Sequence, residues 1–461
     1  MPTGERGSMA RLKWSATYLV LPFVACLVVI FLLTEAAYVT TASLNGAVPG
    51  DFARWTDEDP AGRFDDLTDD QVLANIVYRI RDPRFSFWTY FFPPGLPPHD
   101  VWSWLKNALH GNELTLVKRE TAGKRTDCLH HYWTGHMVLT AWVWFVVPSL
   151  WDASRLIQSL VAVFLFVYVL AWHRQFGAVS AIVLAFVMLG TGVLRVESFH
   201  NNNWGMIVAF AGATYCGISR QRGDSSYPAA VVSACLACWV GYDHVLDTLA
   251  FSLPFFLTRG TVGIEANDLR APMKFALAFL FTAAAMLAMR ILVTYLDGQD
   301  VSTFLAQIWT QFAHHLSSGS APLGDYLKGG EVGGIAREGE VSRVSAISGA
   351  LPMYHRYLFC ALGRIAPRVE TVWGYTLFQS LPLLGILAIS AAYRKRLDVT
   401  WVFASALLLV IACLFHVMFL VFVNHSYIHP WMDVRHMVFW SAIGWALAAS
   451  WRTRPPRLTP W

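Results

Sequence analysis

Apolar residues in this 461-residue chain fall into long runs joined by short polar connections. A run of about 17–25 apolar residues, wound as a helix, matches the hydrocarbon thickness of a bilayer. Such runs cover 15–38, 154–172, 177–195, 203–218, 227–241, 244–258, 273–296, 372–393, 399–423 and 435–450. The stretch 136–150 is apolar and Trp-rich but only about 15 residues long, which predicts a helix lying on or dipping into one leaflet. The pattern therefore predicts an all-α polytopic membrane protein of about ten transmembrane helices with two large extracytoplasmic segments. Composition agrees: 55% of residues are hydrophobic, only 14% are charged, and mean hydropathy is +0.43. A soluble domain would carry roughly a quarter charged residues. No internal repeat is visible.

Charge orients the spans. His173-Arg174, Arg220-Gln221-Arg222, the stretch from Arg259 to Lys274, Arg394-Lys395-Arg396 and the stretch from Arg452 to Arg457 fall on one side if 136–150 does not cross. The positive-inside rule makes that side cytoplasmic, with both chain ends on it. The expected organisation is a cytoplasmic N-terminus (1–14), a first span (15–38), an extracytoplasmic loop with juxtamembrane helices (39–153), a bundle (154–296), a second extracytoplasmic segment (297–371), three last spans (372–450) and a cytoplasmic tail (451–461). The first run follows Arg6, Arg11 and Lys13 and lacks an A-x-A cleavage site, so it reads as a retained signal-anchor. Net charge is +4 with no basic stripe, which argues against a nucleic-acid partner. Of the seven cysteines, Cys26, Cys216, Cys235, Cys238 and Cys413 lie in apolar runs and read as small buried hydrophobes. Cys128 and Cys360 fall in outer segments, where a disulfide between them is an open option.

The outward segments hold most of the polar chemistry. In the first loop, Asp65, Asp66, Asp69 and Asp70 precede a helical apolar pattern that starts at Gln71-Val72-Leu73. Thr68 or Asp69 would cap that helix and Asp70 would sit in its first turn, where the helix dipole favours an anion. Glu197 and His200, followed by Asn201, are spaced to share a helical turn at a span end; the plain alternative is a solvated turn. Gly241-Tyr242-Asp243-His244-Val245-Leu246-Asp247 joins two apolar runs almost without a linker, which sets Asp247 inside the membrane boundary. Ionisable groups there line a cavity or pair with one another. On a continuous helix, Asp243 and Asp247 share a face with the edge of His244, and a structural pairing with Arg290 or Arg195 is the bland alternative. His425 and His429 have the i, i+4 spacing of metal ligands, limited by Pro430. Arg435, beside His436, breaks the positive-inside pattern, and its planar fork suits a phosphate or pyrophosphate; a snorkelling arginine is the alternative. His314-His315 and Tyr354-His355-Arg356-Tyr357 read as interfacial anchors or groove walls, and most of the twenty tryptophans as belt residues.

The order of His130-His131-Tyr132-Trp133-Thr134-Gly135-His136, a short apolar helix, Trp151-Asp152-Ala153-Ser154-Arg155-Leu156, and the basic turn His173-Arg174-Gln175-Phe176-Gly177 resembles the GT-C class of polytopic glycosyltransferases, which use polyprenyl-phosphate-linked sugars. The likeness covers roughly residues 15–220 and is one of layout. The usual Asp-Glu pair after the first span is missing, and Thr34-Glu35-Ala36-Ala37-Tyr38 is a faint echo of it. Tyr132-Trp133-x-Gly135-His136 and Asn424-His425-Ser426-Tyr427-Ile428-His429 also resemble segments of bacterial multispan proteins associated with surface polysaccharides.

The resemblance implies a bacterial inner-membrane glycosyltransferase with its site facing outward. Its partners would be a polyprenyl-phosphate sugar donor, a glycan or lipid acceptor and the bilayer. No cofactor is certain, although a divalent metal on the phosphate would fit the chemistry. Such transfer needs a base for the acceptor hydroxyl. Asp70, Asp69, Asp66 and Asp247 are the candidate catalytic groups. Arg435, His436, Asp243, His244, Glu197, His200, Asn201, Trp133, His136, His425 and His429 are candidates for substrate binding, and the metal ligands are unknown. Two other classes compete: a glycolipid transporter or flippase, and a membrane O-acyltransferase using His416, which lies within an apolar run.

Overall fold

The structure, a computed structural model, describes residues 5–43, 135–147, 149–190, 200–222, 226–257, 270–296 and 430–450, with isolated positions in 301–309 and 405–410. Every regular element among these residues is helical. The helices are α1 (Glu5–Ser43), α2 (Gly135–Val146), α3 (Leu150–Phe176), α4 (Ala178–Gly190), α5 (His200–Gln221), α6 (Ser226–Val240), α7 (Val245–Ser252), α8 (Arg270–Leu296) and α9 (Pro430–Ser450). Single 3-10 turns, Tyr242–His244 and Leu253–Phe256, flank α7.

Three helices are long and apolar enough to cross a membrane: Thr17–Ala37 within α1, Asp152–Phe176 within α3 and Arg270–Leu292 within α8. They are apolar on both sides. Leu21, Val28 and Leu32 of α1, Val163 and Phe166 of α3, and Leu277 and Phe281 of α8 are exposed, while Ile30, Tyr168 and Phe279 on the same helices are buried. A helix that is hydrophobic all round belongs in a lipid environment rather than at a water-facing surface.

Local chemistry sets the helix ends. Ser149 caps α3, its Oγ accepting the Asp152 N–H at 3.3 Å. Gly177 ends α3 with φ 88°, donating its N–H to the His173 carbonyl at 2.8 Å. That left-handed value carries no Cβ penalty in glycine, and the chain enters α4 after one residue. His173 and Arg174 occupy the last turn, where cations complement the helix dipole.

The apolar run expected at 227–241 is the 15-residue α6, and the one at 244–258 is the eight-residue α7 bracketed by 3-10 turns. Neither unit matches the length of α3 or α8. The 12-residue α2 extends about 18 Å, well under a hydrocarbon thickness of about 30 Å. It does not lie on the surface of the bundle: its first residues, Gly135 to Val138, are buried. α5 is the central helix, packed most extensively on α3 and α6 and also on α7. Small residues bring α5 and α6 together, with Ser233 donating to the Gly212 carbonyl at 3.2 Å.

The bundle has two unlike ends. At one, Trp172, Phe176, Phe255 and Tyr168 interlock, with Trp172–Phe176 ring centroids 4.3 Å apart and Phe176–Phe255 5.7 Å apart. Phe256 stacks on Phe275 of α8 at 4.3 Å. Hydrogen bonds tie the same end: Gln175 Nε2 to the Phe255 carbonyl at 2.9 Å, the Trp172 indole to Ser180 at 2.7 Å, and Ser180 to the Ala446 carbonyl at 2.6 Å. Exposed His173, Arg174, Arg222, Arg270 and Lys274 lie on the helix ends gathered here. The opposite end collects the starts of α2, α5, α7 and α9 and the end of α6. The apolar stretches expected at 372–393 and 399–423 lie outside the described residues, except for 405–407 and 409–410, where Leu409 and Ser405 lie close to Gly444 of α9.

Candidate functional site

The joint between α6 and α7 builds the polar end. Gly241 closes α6, with its N–H on the Ala237 carbonyl at 3.0 Å, and its own carbonyl accepts the His244 N–H at 3.1 Å. The resulting 3-10 turn fills the connection expected between the apolar runs 227–241 and 244–258 and leads directly into α7. Asp243 lies in the turn and Asp247 in the first turn of α7. His244 is the residue that the turn brings round, its Nδ1 3.7 Å from Asp247 Oδ2 at i, i+3. The Asp247 side chain is fully buried.

The short contact of Asp247 comes from 189 residues away. His436, in the second turn of α9, places Nδ1 2.7 Å from Asp247 Oδ1. Where that carboxyl is ionised it can only accept, and the imidazole then donates to it from Nδ1. His436 keeps 11% of its side chain exposed and Asp247 none. Phe251, one turn further along α7, meets Phe439 of α9 at 5.2 Å and fixes the register between the two helices.

Close packing sets the depth of the group. A Cβ on Gly205 would fall 1.9 Å from the His244 ring, so α5 admits that ring only because residue 205 is glycine. Gly205 lies five residues into α5, about 7.5 Å from its start by helical rise. The cluster is therefore recessed within the bundle. On the other side of the joint, a Cβ on Gly135 would meet the Trp239 carbonyl at 2.5 Å. His136 Nδ1 donates to the Val240 carbonyl at 2.9 Å and ties the start of α2 to the end of α6. Thr140 donates to the His136 carbonyl at 2.8 Å and receives the Trp204 indole N–H at 3.0 Å. Asn203, in the first turn of α5, is buried at the same end.

The structure thus gathers Asp247, His244 and His436, and holds His136 in the adjoining strut. His200 and Asn201 open α5, Asp243 lies in the 3-10 turn, and Arg435 precedes His436 in α9. Asp66, Asp69, Asp70, Trp133, Glu197, His425 and His429 lie outside the described residues, as do His416, Cys128 and Cys360. Arg290, the arginine offered by the sequence as a structural partner, is buried in α8. Gly205 was not singled out as a site residue from the sequence; a lone glycine three residues into an apolar run carries no signal without the ring it accommodates. Cys235 and Cys238 are buried thiols, like Cys216. Among the described residues, no group of three or more His, Cys, Asp or Glu side chains is arranged to hold a metal ion. The pair His436–Asp247 is a carboxylate-oriented imidazole, an arrangement suited to moving a proton.

No protein-family model, curated protein or solved structure matches this chain.

Proposed function

We propose that this chain is an integral-membrane glycosyltransferase with a GT-C-like layout. It moves a sugar from a polyprenyl-phosphate donor to a cell-envelope glycan or glycolipid. In this reading about ten helices span the inner membrane of a bacterium. Both chain ends are cytoplasmic, and the end that carries Asp247 faces outward. The observation that carries the reading is the buried His244–Asp247–His436 group, recessed at the end of the bundle opposite His173, Arg174 and Arg270. Buried ionisable side chains in a membrane bundle mark substrate or proton paths. A lipid-linked donor brings its phosphate and anomeric carbon to that depth from the side, and the acceptor hydroxyl needs a proton acceptor there. Arg435, one residue before His436 in α9, is the cation assigned to the phosphate. The first-loop acids Asp66, Asp69 and Asp70, which lie outside the described residues, remain the candidates for a divalent ion on the phosphate on sequence grounds.

The test uses the purified full chain in phosphatidylethanolamine–phosphatidylglycerol vesicles. Farnesyl phosphate linked to radiolabelled glucose, mannose or arabinose is the donor, and envelope glycolipid extract the acceptor. The expected result is release of farnesyl phosphate together with label in the acceptor, abolished by Asp247→Asn. Movement of the intact donor across the vesicle without release supports a flippase instead. Acyl transfer that depends on His416 supports the acyltransferase reading.

A further inference from the structure

We infer that His436, not Asp247, is the group that takes the proton, and that Asp247 is its positioning residue. The inference rests on the transferase reading and assigns the chemistry within its site. Three observations carry it. Asp247 is wholly enclosed, while His436 retains an exposed portion, so access to an acceptor belongs to the imidazole. The 2.7 Å contact commits Nδ1 of His436 to Asp247 Oδ1, so the ring exchanges protons with any substrate through Nε2. The second carboxylate oxygen, Oδ2, faces His244 at 3.7 Å, and His244 in turn is clamped on Gly205. Both oxygens of Asp247 are thus turned to imidazoles of the protein rather than toward an approaching hydroxyl. A carboxylate behind an imidazole fixes its tautomer and stabilises the cation formed when the ring accepts a proton.

The step balances as follows. The acceptor oxygen bonds to the anomeric carbon as its proton passes to His436 Nε2. The bond from that carbon to the phosphate oxygen breaks, and polyprenyl phosphate leaves with the electron pair. The imidazolium then gives its proton to water or to the departing phosphate.

Two independent measurements test the assignment. The first does not require turnover. Diethyl pyrocarbonate is applied to the reconstituted full chain, and modification of the His436 peptide is followed by mass spectrometry. His436 should react in the unaltered protein, and about tenfold more slowly in Asp247→Asn, with Asp247→Glu recovering part of the rate. An unreactive His436, or a rate unchanged in Asp247→Asn, overturns the assignment whether or not the donor panel is used. The second uses the farnesyl phosphate donors. His436→Gln, which keeps an N–H for Asp247, should lose at least about 100-fold in kcat with KM little changed, within the range for a general base. His436→Ala should regain activity with added imidazole. Full activity in His436→Gln overturns the assignment while leaving the transferase reading intact. An unaltered protein that turns over none of the donors overturns the reading itself, on which the assignment depends. Activity abolished by a chelator, restored by a divalent ion and bound through His436 would also overturn it, since Nε2 would then be a metal ligand with Asp247 behind it.

Discussion

The two ends of the bundle solve opposite problems with the same kind of helix. At the aromatic end, Trp172, Phe176, Phe255 and Phe256 fill the space between helices, and every hydrogen bond quoted there ends on a backbone carbonyl or a small hydroxyl. At the polar end, glycines at 135 and 205 bring backbones to within contact of Trp239 and His244, and the side chains that meet are ionisable. Aromatic interlocking gives stability through close packing. A recessed carboxylate with two imidazoles gives little net stability, because desolvation offsets much of the electrostatic gain. The contrast is between an end built for packing and an end whose buried polar group packing alone does not require.

The sharpest way to break the comparison is at Phe255, which meets Tyr168, Trp172 and Phe176 and whose carbonyl accepts from Gln175. Phe255→Ala should cost about 4 kcal/mol, in the range for truncating a buried aromatic. The measurement is unfolding of the purified chain in mixed micelles. A cost below about 1 kcal/mol would mean that the aromatic end is not what holds the bundle together.

His436→Ala comes next, with a cost of about 3 kcal/mol expected from leaving the buried Asp247 carboxyl without its partner at 2.7 Å. His436→Gln should cost only about 1 kcal/mol, since its amide can still donate to Asp247. This split separates stability from chemistry: His436→Gln is expected to fold well and transfer poorly. Equal destabilisation by both variants would show that the ring is held for packing, not for its hydrogen bond.

How much of this was readable along the chain follows from the range of each interaction. The spans 15–38, 154–172 and 273–296 were visible because hydrophobicity is local, and α1, α3 and α8 contain them. The turn between α3 and α4 was marked by His173, Arg174 and Gly177, three residues whose effect on a helix end is also local. Asp247 stood out because an acid in an apolar run is costly. Its partner did not: the sequence offers arginines as readily as histidines, and only packing of α7 on α9 selects His436 from 189 residues away. The joint at Gly241–His244 was legible, because the apolar runs 227–241 and 244–258 meet there and Gly241 ends α6. The 3-10 pitch of Tyr242–His244 was not, because spacing arguments assume a helix of uniform pitch.

The glycines sharpen the comparison further. Gly205→Ala would set a methyl group 1.9 Å from the His244 ring, while Gly212→Ala would meet the Ser233 hydroxyl at 3.0 Å. The first must displace a ring that is pinned between α5 and Asp247, at about 2 kcal/mol. The second asks for a shift of tenths of an ångström and should cost less than about 1 kcal/mol. On the proposed transferase reading, activity should fall in Gly205→Ala and persist in Gly212→Ala, although both lie on the same helix. Equal activity would mean that His244 can move without disturbing Asp247.

The smallest effect belongs to the surface of the same fold. Ser149 accepts the Asp152 N–H at 3.3 Å, a long bond at an exposed helix start, and Asp152 and Arg155 pair at 3.5 Å with both side chains more than half exposed. Ser149→Ala should cost about 0.5 kcal/mol, the low end for a helix cap. Arg155→Ala should change stability by no more than about 0.5 kcal/mol, because water screens an exposed pair. Neither residue belongs to the aromatic cluster or to the group around Asp247, so unfolding and, on the proposed transferase reading, transfer should both stay close to those of the unaltered chain. A large loss of transfer in Arg155→Ala, with stability unchanged, would move part of the site to the start of α3. The polar end would then extend beyond the group around Asp247.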